Sequence, residues 1–178
     1  MRIKLLALIF TLGMVTNALA WTCAYNHPTS PNLALGKVVS TSSNASGKQG
    51  SLVVDNNLES WWESSGIPAW VMIDLGAVKP VKWVDLGLPL DDPKFNGDGG
   101  VHITLEFSQS PNGPWIRPFG NGQYYVTNKS NGNGQAFDLT TISQNARYVK
   151  ITISGQFRTI NGVYVPWSKA AIGEVAIF

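Results

Sequence analysis

The chain is poor in the residues that most catalytic sites use. It contains one cysteine, Cys23, and two histidines, His27 and His102. A single cysteine excludes an internal disulfide, so the core, with a bound metal as an additional candidate, must hold the domain together. No Ser–His–Asp signature, His-x-x-x-His pair or glycine-rich phosphate loop occurs. His102 lies on the polar face of an expected strand, where a solvated histidine is the usual case. We therefore expect a protein that is not an enzyme.

Charge is also scarce and balanced. Charged residues make up 13% of the chain, and the formal net charge is +2. Arg2 and Lys4 account for two of the 13 basic residues, so the remainder balances the 11 acidic ones. No basic run or basic helix is present, which argues against nucleic acid as a partner. An acidic partner would have to meet a local basic patch.

The first 20 residues have the pattern of a secretory signal peptide. Arg2 and Lys4 precede the apolar stretch Leu5 to Val15, and Ala18-Leu19-Ala20 resembles a cleavage site. No second apolar stretch is long enough for a membrane span. We expect an exported, periplasmic or secreted monomer with one domain over residues 21–178. Cys23 would lie near its N-terminus, where an incidental thiol is favoured over a disulfide between chains.

Short segments with period-two alternation dominate the rest of the chain. In residues 101–108, VHITLEFS, the residues Val, Ile, Leu and Phe share one face. Similar segments span residues 70–75, 81–86, 147–153 and 173–178, and Gly, Asn, Pro and Ser separate them. Helical spacing is not sustained over three turns anywhere. The pattern predicts an all-β fold, a β-sandwich or barrel with long shaped loops.

Aromatic and basic residues cluster in the glycine- and asparagine-rich segments. A sugar ring can pack its C–H face on an aromatic ring while cations and amides bind its hydroxyls or carboxylate. These rings could equally just cap the end of the sandwich. The candidates for sugar binding are Trp167, Tyr164, Tyr124, Arg158, Lys169 and Lys129.

Seven segments, in this order, resemble a known family. They are NLALGK (32–37), STSS (40–43), VVDNNLESWWESS (53–65), WVMIDLG (70–76), ITLEFSQSPNGPW (103–115), ARYVKITI (146–153) and IGEVAIF (172–178). The chain resembles the coagulation-factor 5/8 C-type, or discoidin, domain, and within that group carbohydrate-binding module family 32. The resemblance implies a galactose-binding-like β-sandwich of the jelly-roll type without catalytic activity.

The resemblance also implies a structural Ca²⁺ at the turn that follows Val54. Oxygen ligands of mixed carboxylate and carbonyl type suit Ca²⁺ rather than zinc. Asn56 stands where the family usually has glycine, and asparagine tolerates the left-handed backbone conformation. An Asx-type turn without metal is the alternative. By position, the implied ligands are Leu52, Asp55, Asn57, Ser60, Gly173 and Glu174.

Within the family, galactose-configured sugars are the usual ligands. An exported module with basic loops is similar to the periplasmic members that bind polygalacturonate, the backbone of pectin. We therefore expect uronate carboxylates to pair with the basic candidates, with Lys94 or Arg117 as additional cations. Trp62 matches the core tryptophan of the family, whereas Trp61 is expected to point outward as a weaker ligand candidate.

Adhesion to lipid head groups is the alternative function, since discoidin domains also bind membranes through apolar loop residues. Leu88, Leu90 and Phe95 are the candidates for such contacts. Asp91, Asp92 and Asp98 lie beside them and would repel anionic lipid, so a membrane partner is not favoured.

Overall fold

A computed structural model describes residues 30–57, 59–89, 99–119, 124–125, 134–142, 144–160 and 163–178. The predicted signal peptide and Cys23 lie outside this part of the chain. One 3-10 turn, Gly50–Val53, accompanies the strands. The strands are β1 (Val38–Thr41), β2 (Trp62–Glu63), β3 (Ala69–Val81), β4 (Trp83–Gly87), β5 (Gly99–Ser108), β6 (Tyr124–Tyr125), β7 (Gly134–Asp138), β8 (Gln144–Ile160), β9 (Val163–Trp167), β10 (Ala171–Ile172) and β11 (Glu174–Ile177).

The strands form two main antiparallel sheets. The larger sheet has the order β1-β3-β8-β5-β6, and β9 pairs with the part of β8 that extends beyond β3. The smaller sheet has the order β11-β4-β7, and β10 pairs with β2 in a separate two-stranded ladder. The predicted all-β sandwich is therefore confirmed. No helix in the described ranges is long and apolar enough to cross a bilayer.

The predicted alternation of residues 101–108 is present in β5. Val101, Ile103, Leu105 and Phe107 are 0–2% exposed and face the core between the sheets. The opposite sheet contributes Leu86 and Ile177 to the same core, among others. Burying a side chain of this size stabilises the fold by about 1.5–3 kcal/mol. Trp62 is fully buried as well, which confirms its expected place in the core.

The polar face of β5 differs from the expected solvated surface. The side chain of Glu106 is 3% exposed, and its carboxylate accepts bonds from Arg117 and Lys150 at 2.8 and 2.9 Å. Thr152 Oγ1 lies 3.3 Å from Glu106 Oε2, the oxygen that Lys150 also contacts. Lys150 Nζ also lies 4.0 Å from the centroid of the Trp115 ring. The segment after β5 thus folds back over the sheet and covers this carboxylate.

The pKa of Glu106 follows from this environment. Burial alone would raise it, but the hydrogen bonds and charges of Lys150 and Arg117 outweigh burial and hold the pKa below its usual range. A lowered pKa means that the carboxylate stabilises the fold above the pKa of the unfolded chain. This stabilisation is lost as the pH falls through the folded-state pKa.

Strand direction defines two ends of the domain. We call the end that carries Ala69, Gly99 and Ile160 the rim end, and the end that carries Val81, Ser108 and Gln144 the base end. In the smaller sheet, Glu174 and Gly87 pair at the rim end, while Ile177 and Val84 pair toward the base end.

Substitution of Glu106 tests the ionic cluster on the outer face of the sheet. We expect Glu106→Gln to lower the free energy of unfolding at pH 7 by about 2–3 kcal/mol, because Arg117 and Lys150 lose a charged partner. Its stability should also fall less than that of the wild type between pH 6 and about pH 3. Urea unfolding across this pH range measures both effects. Glu59→Gln, at an exposed position, is the control; equal acid sensitivity of the wild type and Glu106→Gln would contradict the assignment.

Candidate functional site

The turn from Asp55 to Ser60 is organised by its own side chains. Asp55 Oδ1 accepts a bond from the backbone N–H of Asn57 at 2.9 Å, and Ser60 Oγ lies 2.7 Å from Asp55 Oδ2. Asn57 Oδ1 accepts the backbone N–H of Glu59 at 3.0 Å. Asn56 has φ of 59°, the left-handed conformation that its predicted role requires. These bonds are the Asx-type pattern, which orders the turn even without a metal.

Glu174 brings a second carboxylate to this turn from the start of β11. It is fully buried, and its Oε2 accepts the backbone N–H of Asn56 at 3.1 Å. Its other oxygen, Oε1, has no hydrogen-bond partner among the described residues. Burial, with the charge of Asp55 as the next cause, raises the pKa of Glu174 to about 8. The two carboxylates therefore converge without enough positive charge to balance them.

The residues around this pair fit a hard cation. An orphaned buried carboxylate oxygen beside a second carboxylate is the arrangement that a cation would satisfy. Among the described residues no group of three or more His, Cys, Asp and Glu could hold a metal. The remaining ligands must then be backbone, amide and hydroxyl oxygens, which Ca²⁺ accepts.

Gly173 lets β11 approach close enough for this convergence. A Cβ atom at Gly173 would lie 3.0 Å from the carbonyl oxygen of Leu88 and 3.1 Å from its carbon. The backbone N–H of Gly173 donates to the Gly87 carbonyl at 2.8 Å. A larger residue would require the backbone of Leu88 and Pro89 to shift away from β11. Leu52, the remaining predicted ligand, lies half-buried in the 3-10 turn that leads to Asp55.

Strand register brings most of the predicted sugar-binding positions to the rim end. Tyr124 pairs with Ile103 on β5, and Arg158 pairs with Gly99 and Val165. Tyr164 pairs with Thr159, and Trp167 pairs with Gln156. The side chains of Tyr124, Arg158 and Tyr164, and the whole of Lys129 and Lys94, lie outside the described part of the structure. The backbone alone places four of these positions at the end that also carries Glu174.

Gln156 is a rim residue that the sequence did not predict. It is 3% exposed, and its Oε1 accepts the backbone N–H of Ala171 at 2.8 Å, while its Nε2 has no hydrogen-bond partner in the described part of the chain. The register on β5 changes between His102 and Ile103, where Ser154 is the extra residue of a β-bulge. Ile151 and Ile153 face the core, so an unbroken alternation would place Gln156 on the outer face of the sheet. The bulge reverses the alternation, and Gln156 therefore faces inward.

Lys169 lies at the rim in an ion pair. Its Nζ is 2.7 Å from Glu63 Oε1, and the two side chains are 37% and 7% exposed. Beside this pair, the backbone N–H of Ser64 donates to the carbonyl oxygen of Ala170 at 2.8 Å. The backbone N–H of Ala170 donates to Ser64 Oγ, also at 2.8 Å. Lys169 therefore offers a fixed, directional donor, but its charge is already balanced by Glu63.

Trp61 is partly buried, and a cation covers its ring. Lys48 Nζ lies 2.8 Å from the ring centroid, and the buried indole Nε1 finds no hydrogen-bond partner in the ranges that the structure describes. Trp61 was expected to point outward toward a ligand. Because Lys48 covers one face of its ring, only the opposite face could contact a sugar. Lys48 is a further cation beside Trp61 that the sequence did not predict.

Two predicted positions need correction. Arg117 lies in the segment that pairs with Phe107, away from the rim, and its guanidinium donates to Glu106. Leu88 is fully buried, so it does not project as an apolar loop residue toward a membrane. Leu90 and Phe95, the other candidates for membrane contact, lie outside the described residues.

Solved structures with the same fold include several carbohydrate-binding modules. The CBM32 of AlyQ in complex with 4,5-unsaturated mannuronic acid is 22% identical, with a TM-score of 0.59 over 79% of this chain and 93% of that one. The lectin domain of lectinolysin complexed with Lewis B antigen is 20% identical, with a TM-score of 0.60 over 84% and 96%. A fucose-binding module of Streptococcus pneumoniae is 18% identical, with a TM-score of 0.60 over 83% and 94%. At these identities the likeness shows the shared sandwich fold.

No curated protein matches the chain. The model of the F5/8 type C domain matches residues 37–164, which is more than half of the sequence. This range includes the carboxylate turn and most of the larger sheet, and it agrees with the sandwich described above. The chain therefore belongs to the F5/8 type C domain family.

Proposed function

We propose that this domain binds uronate-containing polysaccharides, galacturonan first among them, without cleaving them. The observation that carries the proposal is the strand register, which brings the positions of Arg158, Tyr164 and Trp167 into one β8–β9 ladder that leads to the Lys169–Glu63 pair. Aromatic and basic residues on one rigid end suit a ligand that is flat, hydroxylated and anionic. The protein is exported and acts in the periplasm or outside the cell.

The rim has the chemistry that such a ligand needs. Trp167 is a half-buried strand residue, so its position is fixed by β8. A sugar ring can pack on an indole with little loss of side-chain entropy. Lys169 is held by Glu63 and can direct an N–H toward a carboxylate or hydroxyl. Affinity for a polymer would come from several weak contacts in series.

The solved relatives support a glycan, and one of them supports an acidic one. The AlyQ module was solved with an unsaturated mannuronic acid, which is a uronic acid. The lectinolysin and Streptococcus pneumoniae modules bind a Lewis antigen and fucose, which are neutral sugars. Modules with this fold accommodate both kinds, so the choice of an acidic ligand rests on the cations predicted at the rim, Arg158 and Lys129.

The acidic residues near the rim support binding rather than catalysis. Glu63 is nearly buried and bonded to Lys169, and Glu174 is buried against the turn. A glycosidase needs two carboxyl groups facing each other across an open cleft. Neither of these side chains is placed to protonate a glycosidic oxygen.

Trp167→Ala tests the rim. We expect the affinity for polygalacturonate to fall at least about tenfold, because the ring loses its packing surface. Wild-type affinity should also drop between about 0.02 M and about 0.5 M NaCl, since screening weakens ionic contacts. Affinity electrophoresis in polygalacturonate and in neutral galactan measures both effects.

Trp115→Ala is the matched control, since Trp115 is half-buried and lies away from the rim. It should keep full affinity, and thermal unfolding checks that both variants fold. Preference for neutral galactan, or no effect of salt, would overturn the uronate assignment. Unchanged affinity in a folded Trp167→Ala would overturn the rim as the binding site.

We also propose that the carboxylate turn holds a structural Ca²⁺. Asp55 and Glu174 would hold it, with oxygens of Leu52, Asn57, Ser60 and the Gly173 carbonyl. The ion would supply the positive charge that the two carboxylates lack. Because Asp55 and Glu174 are 119 positions apart, their joint binding would tie an early turn to β11. The turn itself keeps its Asx bonds, which pre-order it for this role.

Calcium addition to the EDTA-treated protein tests this site. At saturation we expect a rise in Tm of about 5–10 °C, because a ligand that binds only the folded state stabilises it. Glu174→Gln should lose this response, yet in EDTA at pH 8 it should be at least as stable as the wild type, since it removes an unbalanced buried charge. Glu59→Gln, an exposed carboxylate in the same turn, should respond normally. A wild type indifferent to Ca²⁺, or a responsive Glu174→Gln, would contradict the site.

A further inference from the structure

A pocket opens at the base end, away from every residue of the rim. Its volume is about 310 Å³, at the lower end of the range for small-molecule sites. This size suits one or two monosaccharide units. Its lining residues are Ser30, Pro31, Leu33, Lys79, Pro80, Lys82 and Phe178.

Backbone hydrogen bonds fix the walls of this pocket. The N–H of Leu33 donates to the Ile177 carbonyl at 2.7 Å. The N–H groups of Lys82 and Trp83 donate to the Phe178 carbonyl oxygen at 2.7 and 3.0 Å. The pocket is therefore formed before any ligand arrives, which lowers the entropic cost of binding.

The pocket combines an apolar floor with two cations. Proline, leucine and phenylalanine side chains line most of it, and Lys79 and Lys82 are exposed at its edge. Within the described ranges no acidic side chain lines it, and neither lysine forms an ion pair there. Both ammonium groups are thus available to an anion, unlike Lys169 at the rim.

This combination selects the chemical class of the ligand. A neutral sugar would leave the two lysines unused, and inorganic phosphate would leave the apolar floor uncovered. A uronate residue satisfies both, because its C–H face can pack on the floor while its carboxylate meets a lysine. An acidic sugar is therefore the occupant that complements the pocket.

We infer that the base-end pocket is a second binding site for uronate residues of an acidic polysaccharide. Lys79 pairs with Ala146 on β8, the strand that reaches the rim at Arg158. At about 3.3 Å per strand residue the two regions lie roughly 40 Å apart. One domain would then bind two polymer chains, or two distant parts of one chain. The inference extends the ligand class of the proposed function but uses none of its residues.

Calorimetry with digalacturonate and trigalacturonate tests the second site. These ligands are too short to span the domain, so two should bind per wild-type chain. Lys79→Ala/Lys82→Ala should bind one, and its avidity for polygalacturonate should fall about tenfold or more. Light scattering should show cross-linked polymer with the wild type but not with this double variant.

Lys37→Ala is the matched control, because Lys37 is an exposed lysine at the base end that does not line the pocket. It should keep a stoichiometry of two. The double variant combined with Trp167→Ala should bind none. If the wild type binds one ligand per chain and Lys79→Ala/Lys82→Ala also binds one, the second site is wrong, but the proposed binding at the rim is unaffected. If Trp167→Ala changes nothing while the double variant abolishes binding, the proposed rim fails and the pocket stands.

Discussion

The meeting of Asp55 and Glu174 is the constraint on which the rim end depends. Their carboxylates come from distant parts of the chain, and Glu174 is buried with one oxygen unsatisfied. A buried charge without a partner is expensive, so the folded state must take up a proton or a cation there. The segment that follows Asp55 carries Trp61 and Trp62, one ring toward Lys48 and one in the core. Whatever balances the carboxylates therefore also holds the turn that leads to Trp61 against β11.

Strand β8 connects this end to the rest of the domain. It pairs with β3 and β5 along most of its length and with β9 beyond the end of β3. Its bulge at Ser154 reverses the inward and outward positions, which turns Gln156 toward β10. Beyond the bulge, the inward position of β8 at Gln156 is polar rather than apolar. The apolar core of β8 therefore stops at the bulge, and polar residues begin at the rim end, where a ligand would bind.

The sequence predicted those features of the fold that follow from the local order of apolar and polar residues. The alternation over Val101 to Phe107 identified an inward face, and Trp62 was placed in the core. Contacts between distant segments were not predictable, because alternation does not report register. The sequence placed Glu106 on the polar face of a strand and Lys169 among the sugar-binding candidates, but it did not predict their ion pairs with Arg117 and Glu63. The inward position of Gln156 depends on the bulge at Ser154, and neither the composition nor the alternation of the sequence indicates that bulge.

A balanced net charge has a consequence for how such a domain binds a polyanion. Without a large positive field, attraction at long range is weak, and nonspecific adhesion to other polyanions is avoided. If the domain binds an acidic polysaccharide as proposed, selectivity would come from cations held at defined places: Lys169, oriented by Glu63, at one end, and Lys79 and Lys82 beside an apolar floor at the other. Each contact alone is weak, but a polymer presents many identical residues to both ends. Repetition in the ligand can thus supply the affinity that the protein's own charge does not.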